Sequence, residues 1–312
     1  MSEDEMKTYL TSKKLSVIIL IIASALLFCQ SPLFSAERKL IKGKKFDVEK
    51  GGLLEVRADF GDVTVKSWTS DEVEIKIFGN EKTKKNVHFS FDKSGNAVTV
   101  LAKKPGKFGF NVFNNYSLKF EIWVPKEFKV KITTAGGDVK LININGSFDV
   151  ETSGGDINSE DNIGFIKAET SGGDVEIKNH KGNVKTETSG GDIKIQSFGN
   201  VNCSTSGGDI NLIVENGSVQ ATTSGGDVSL KYWGTNKGIF CETSGGDITC
   251  VLPDNFKADA KLETLGGSIN LDFPNANTRK ISHSKFEGRL NGGGEKMECS
   301  TSGGDIEVRA TK

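Results

Sequence analysis

The sequence predicts an all-β fold: a parallel β-solenoid of about 18-residue coils with an N-terminal β-hairpin-rich cap. Three observations carry that prediction. The string Thr-Ser-Gly-Gly-Asp recurs, its aspartates falling at Asp156, Asp174, Asp192, Asp209, Asp227, Asp247 and Asp305. Asp138 ends a TAGGD variant and Ser268 a TLGGS variant, and successive spacings from Asp138 are 18, 18, 18, 17, 18, 20, 21 and 37. Around each motif, apolar and polar residues alternate strictly, the period of half-buried strands. Finally, glycine supplies 37 of 312 residues against only 5 prolines, and 18 of those glycines are the Gly-Gly pairs of the nine motifs. Glycine in that excess, at fixed positions, marks tight backbone corners and excludes both a helical bundle and a Pro-rich disordered chain.

Each element of the coil follows from aligning the nine copies. One residue after the Asp/Ser position stands only Ile or Val, from Val139 and Ile157 to Ile306. The next residue is polar (Lys140, Asn158, Glu176, Lys194), and the one after that is apolar in Leu141, Ile177, Ile195 and Leu212. Eight residues before the motif's end all copies are apolar, including Phe148, Ile166, Val184 and Val201, and four before it all nine are threonine. The inward phase slips across Gly-Gly, so a corner lies there. Gly146, Gly164, Gly182, Gly199 and Gly217 mark the opposite corner. A unit of two short strands cannot bury its own apolar face, whereas units stacked in parallel can. At about 4.8 Å per coil the eight steps predict a rod of roughly 40 Å.

A bare terminal coil would present open β-edges, so both ends require covers. Residues 37–131 fit that role at the N-terminus: LLEVRADFGDVTV is a degenerate first coil, with Leu54, Val56, Val63 and Val65 in core phase. The alternating runs EVEIKIF, NVHFSF, AVTVLA and SLKFEIWV then predict hairpins, and no stretch of the body predicts a helix. Residues 132–312 form the repeat solenoid, whose 37-residue interval predicts an irregular coil or capping hairpin around ISHSKFEGRLNGGG.

Residues 1–36 read as a signal peptide or membrane anchor. Lys7, Lys13 and Lys14 precede an apolar run from Leu15 to Phe28, short for a bilayer span and suited to a signal-peptide core, with cleavage near Ala36. An uncleaved anchor is the alternative. Phe28 before Cys29 disfavours lipidation, because that signal takes a small residue there. The expected location is outside the cytoplasm: periplasm, cell envelope or cell surface. The net charge of −1 conceals +7 over residues 37–131 and −8 over 132–312, with no long basic run, so nucleic acid is not an expected partner.

The chain resembles the bacterial putative-adhesin proteins, a family of β-solenoids of unknown biochemical function. The resemblance rests on KFDVEKGGLLEVRADFGDVTVKSW, FEIWVPKEFKVKITTAGGDVKL, the repeats, and RLNGGGEKMECSTSGGDIEV, and it spans nearly all of the mature chain. It implies the solenoid fold and a surface or envelope role, and it carries over no catalytic residue.

Four sets of residues are candidates for chemistry. The column Asp156, Asp174, Asp192, Asp209, Asp227 and Asp247 brings like charges within about 5 Å, which calcium would relieve. Calcium-binding nonapeptides place aspartate elsewhere, however, so the simpler expectation is Asx-type bonding to amides within the corner. No other cofactor is expected. The loop KKPGKFGFNVFNNY mixes lysines with Phe108, Phe110, Phe113 and Tyr116, a composition suited to a glycan or protein partner or to plugging the solenoid end. Trp68, Trp123, Tyr232 and Trp233 are open to the same two readings. Cys203, Cys241, Cys250 and Cys299 all fall at core positions, without metal-ligand spacing, and read as small buried side chains. His88, His180 and His283 share no partner, and repetition explains Glu169 stacked with Glu187. The expected function is therefore non-enzymatic: an exported envelope or surface scaffold or adhesion module acting through repeated polar columns on an envelope or surface glycan or protein. A calcium-binding solenoid and a polysaccharide-active β-helix enzyme are the alternatives.

Overall fold

In the strand Ile193–Phe198, Ile193, Ile195 and Ser197 are buried while Lys194, Gln196 and Phe198 are exposed. That alternation, repeated coil after coil, builds the molecule. The computed structural model describes residues 38–104 and 116–311; the predicted export segment 1–36 and Phe108, Phe110 and Phe113 lie outside the described residues. Ile157, Val175, Ile193, Ile210, Val228, Ile248 and Ile306 are paired in register in parallel, each at most 1% exposed. A second stack faces this one across the core and runs from Val130 through Phe148, Ile166, Val184, Val201, Val219 and Ile239 to Met297. The protein is a β-solenoid with two parallel stacks enclosing one apolar core.

The corners explain the repeat sequence. Successive coils approach so closely at the second glycine that a Cβ on Gly191 would lie 2.0 Å from the Gly173 carbonyl oxygen, whereas one on Gly190 would meet nothing nearer than 3.8 Å. Threonine closes the corner from inside: the Thr188 hydroxyl donates to the Gly173 oxygen of the preceding coil (3.0 Å) and accepts from the Gly191 amide of its own (3.3 Å). Thr170, Thr205, Thr223 and Thr243 repeat both bonds. Valine would remove both bonds, and a buried backbone group left without a partner costs about 1–3 kcal/mol, which is why the column is threonine rather than valine. At the opposite corner the inward column is Asn162, His180, Ser197 and Tyr232, with Val214 among them, and its polar members bond backbone groups of neighbouring turns.

Both ends depart from sequential stacking, and they do so in the same way. The first coil, Leu53–Ala58 with Asp62–Trp68, is not outermost. It lies between the coil of Lys129–Thr134 and Val139–Ile142 on one side and the strands Ala97–Lys103 and Leu118–Pro125 on the other. At the far end, Lys296–Thr301 and Ile306–Ala310 insert between Ile239–Thr243 with Ile248–Leu252 and Ala258–Thr264 with Ile269–Asp272. The last coil in sequence is thus second from the end in space. Antiparallel strands finish each end: Lys285–Leu290 and Ala276–Ser282 at one, His88–Ser94, Glu72–Gly79 and Lys39–Asp47 at the other.

Two expectations about the ends need correction. Of the four alternating runs, only His88–Ser94 and Ala97–Lys103 form a hairpin of consecutive strands; the others pair with strands distant in sequence. Alternation reports which face a strand buries and is silent about its neighbour. Among the described residues the body also contains one short helix, Glu81–Asn86, where none was expected. Asn80 caps it by accepting from the Thr83 amide at 2.9 Å, with Glu81 in the first turn and Lys84 and Lys85 in the last, a charge order that suits the helix dipole.

Candidate functional site

The aspartate column is a ladder between coils. Oδ1 of Asp174 accepts from the backbone amide of Asp192 at 2.8 Å, Asp192 from Asp209 at 2.9 Å and Asp209 from Asp227 at 2.8 Å. The series runs from Asp62, which accepts from the Asp138 amide at 3.4 Å, through Asp138, Asp156, Asp227 and Asp247 to Asp305 and ends on Ser268. The expected bond within the corner is made by threonine instead. In-register stacking sets the next coil's amide over each carboxylate, so the aspartate reaches along the axis. At the end of the ladder, the Ser268 amide and then its hydroxyl hold the Asp305 carboxyl below its usual range. Among the described residues, the one group of three ligating side chains within 4.8 Å of one another is Cys241, Cys250 and Cys299; the aspartates form no such group.

Tyr116 is held in the N-terminal cap, its ring 5.7 Å from that of Phe60 with the Lys82 and Lys104 ammonium groups 4.9 and 4.8 Å from its centre. Trp68 and Trp123 pack against each other at 6.4 Å, with Lys45 and Lys76 over their respective rings. Tyr232 is fully buried: its hydroxyl donates to the Gly217 oxygen at 2.8 Å and its ring meets Phe256 edge-on at 5.5 Å. Trp233, the next residue on the strand, therefore points outward and is 45% exposed.

Trp233 rims a cleft of about 710 Å³ bounded by the segments 233–237, 253–257 and 293–295. Its polar lining includes Asn236, Lys237, Asn255, Lys257 and Glu295. Asn236 fastens the three segments together, donating to the carbonyls of Lys257 (3.0 Å) and Glu295 (2.8 Å) and accepting from the Gly238 amide (2.9 Å). The cleft exists because the repeat breaks there. The Asp227–Asp247 interval is 20 rather than 18 residues, which lengthens the corner to Trp-Gly-Thr-Asn-Lys-Gly, and the next position in space belongs to the inserted last coil. That 20-residue spacing and the 37-residue interval before Asp305 were the available signal; neither identifies Asn236 or Glu295 as part of a cleft.

On the outward sheet faces several of the charges are paired. Glu169 meets Lys167 and Glu176 meets Lys178, both at 2.8 Å, and Glu169 stacks in register with Glu187. His180 is the buried exception. Its Nε2 lies 2.8 Å from the Gly164 oxygen, its Nδ1 has no partner, and burial pulls its pKa below the usual histidine range despite the opposing backbone bond. A histidine held neutral by the fold binds its proton more readily when unfolded, so its contribution to stability is lost as pH falls through the unfolded value of about 6.5. Thermal melts should accordingly show wild type losing more stability from pH 7.5 to 5.5 than His180→Ser, which carries the residue found one coil later at Ser197; equal losses would refute this.

Parallel repeat coils finished at each end by antiparallel strands define the class of capped β-solenoids. The chain belongs to the Toastrack family, DUF4097, whose model matches residues 53–309, from the first coil to the last. That membership bears out the family resemblance read from the motifs. Among solved structures, a putative adhesin from Bacteroides fragilis is similar at 14% identity and TM-score 0.45, covering 86% of this chain and 97% of that one. A putative lipid binding protein from Parabacteroides distasonis is similar at 10% and 0.44 (86% and 96% covered), and a putative adhesin from the same species at 12% and 0.34 (87% and 98%). No curated protein matches the chain. Among the described residues, no helix is long and apolar enough to cross a membrane.

Proposed function

We propose that the protein is a non-enzymatic, exported module of the cell envelope or surface that engages a glycan, with the solenoid as a rigid scaffold and the Trp233 cleft as the contact. The observation that carries this reading is the exposed Trp233 side chain lining a cleft where Pro253 and Phe256 stand beside the polar groups of Lys237, Asn255, Lys257 and Glu295. An aromatic face stacks on the apolar side of a sugar while polar groups bond its hydroxyls. Export rests on the N-terminal lysines and apolar run of residues 7–28.

Cleavage of a polysaccharide has less support. Glycoside hydrolysis takes two carboxyl groups across the scissile bond, and the residues lining the cleft supply one, Glu295. Titration of the protein with oligosaccharides released from bacterial envelopes, followed by calorimetry, tests the proposal. Saturable binding is expected, weakened at least about tenfold by Trp233→Ala, a loss of ~1.4 kcal/mol. Absence of saturable binding, or binding indifferent to Trp233→Ala in a folded variant, would refute it.

A further inference from the structure

Cys241 and Cys299 are 58 residues apart in sequence yet lie side by side in register, because the last coil inserts next to the strand Ile239–Thr243. Cys250 faces them from the opposite stack, and its Sγ is 3.9 Å from that of Cys299. All three are buried free thiols, and their sulfurs lie within 4.8 Å of one another. Along the stacks the flanking side chains are Ala221 and Leu262 on one side of the core and Leu230 and Val308 on the other, all buried.

We infer that Cys241, Cys250 and Cys299 form a binding site for one soft monovalent metal ion, copper(I). Three sulfurs around a planar three-coordinate ion at ~2.3 Å stand ~4.0 Å apart, close to the Cys250–Cys299 separation. Structural zinc takes four ligands in a tetrahedron, and the cluster offers three. Soft sulfur donors select copper(I) from among the first-row metals. When the ion binds as a three-coordinate centre, three S–H bonds break, three copper–sulfur bonds form and three protons pass to solvent, because the thiolate rather than the thiol is the ligand. No electron is transferred.

Cys203 supplies an internal control. It occupies the same stack two coils away, separated from Cys241 by Ala221, as a buried thiol whose pKa burial pushes up to about 12. The test titrates the reduced full-length protein anaerobically with copper(I) against a chromogenic chelator, and records X-ray absorption of the product. The expected result is about one equivalent retained by the protein with sulfur neighbours at ~2.3 Å. Cys250→Ala and Cys299→Ala should each weaken retention on the order of a hundredfold, while Cys203→Ala leaves it unchanged. Should both alanine variants fail to fold, the wild-type sulfur coordination decides. Surrender of copper to the chelator by wild type, absence of sulfur neighbours, or equal weakening by Cys203→Ala would overturn the inference.

Discussion

Gly191→Ala destabilises the protein by about 3 kcal/mol, while Gly190→Ala, its neighbour in the same motif, changes stability by no more than about 0.5 kcal/mol. The contrast follows from where a methyl group would go. At Gly191 it would lie 2.0 Å from the Gly173 oxygen and 2.4 Å from the carbonyl carbon, both backbone atoms that cannot swing aside. Relief requires parting two coils, which stretches the Thr188 bonds to Gly173 and Gly191 and weakens the Asp174–Asp192 step of the ladder. At Gly190 the nearest atoms sit at ordinary contact distance. In a domain of this size 3 kcal/mol corresponds to roughly 6–12 °C in Tm. Thermal melts of the two variants check the expectation, and equal melting temperatures would refute the steric argument.

Deleting residues 296–312 has a larger effect, because it removes an internal layer. The strands Ala258–Thr264 and Ile269–Asp272 reach the rest of the solenoid through Lys296–Thr301 and Ile306–Ala310, and the terminal hairpin hangs from them. Loss of Met297, Ile306 and Val308 alone forfeits about 5–9 kcal/mol of burial, comparable with the whole stability of many domains. The truncated protein should therefore lose protection from proteolysis throughout 258–290 and retain a folded core ending near Leu252. Persistence of a protease-resistant segment 258–290 would contradict this.

The sequence discloses the coil well because every coil repeats the same physical demands. The Gly-Gly corner, the threonine beneath it and the Ile/Val column recur nine times, so each position's constraint stands out from chance. The coil order is hidden, since alternation at Lys296–Thr301 is the same whether that strand lies last or second from last. That one ambiguity concealed both candidate sites. The three thiols meet only through the insertion, and the cleft's third wall, 293–295, arrives by the same route. The ladder was half legible: a carboxylate acceptor was evident from Asp after Gly-Gly, but its donor belongs to the next coil. Trp233 was visible as an aromatic on a strand, and its outward orientation follows from Tyr232 taking the inward place.

The inserted last coil is the central claim, and paired cysteines test it most directly. Glu307 lies in register between Thr249 and Asn270. Adjacent parallel strands place Cα atoms at ~4.8 Å, within disulfide range, whereas strands two steps apart stand at ~9.6 Å, beyond it. The native cysteines of the body are buried and do not compete. Under mild oxidation the double variant Thr249→Cys/Glu307→Cys should form an intramolecular disulfide, detected by mass spectrometry, and Thr249→Cys/Asn270→Cys should remain reduced. The opposite outcome, a disulfide joining positions 249 and 270 with 249 and 307 left as thiols, would mean that the coils stack in chain order.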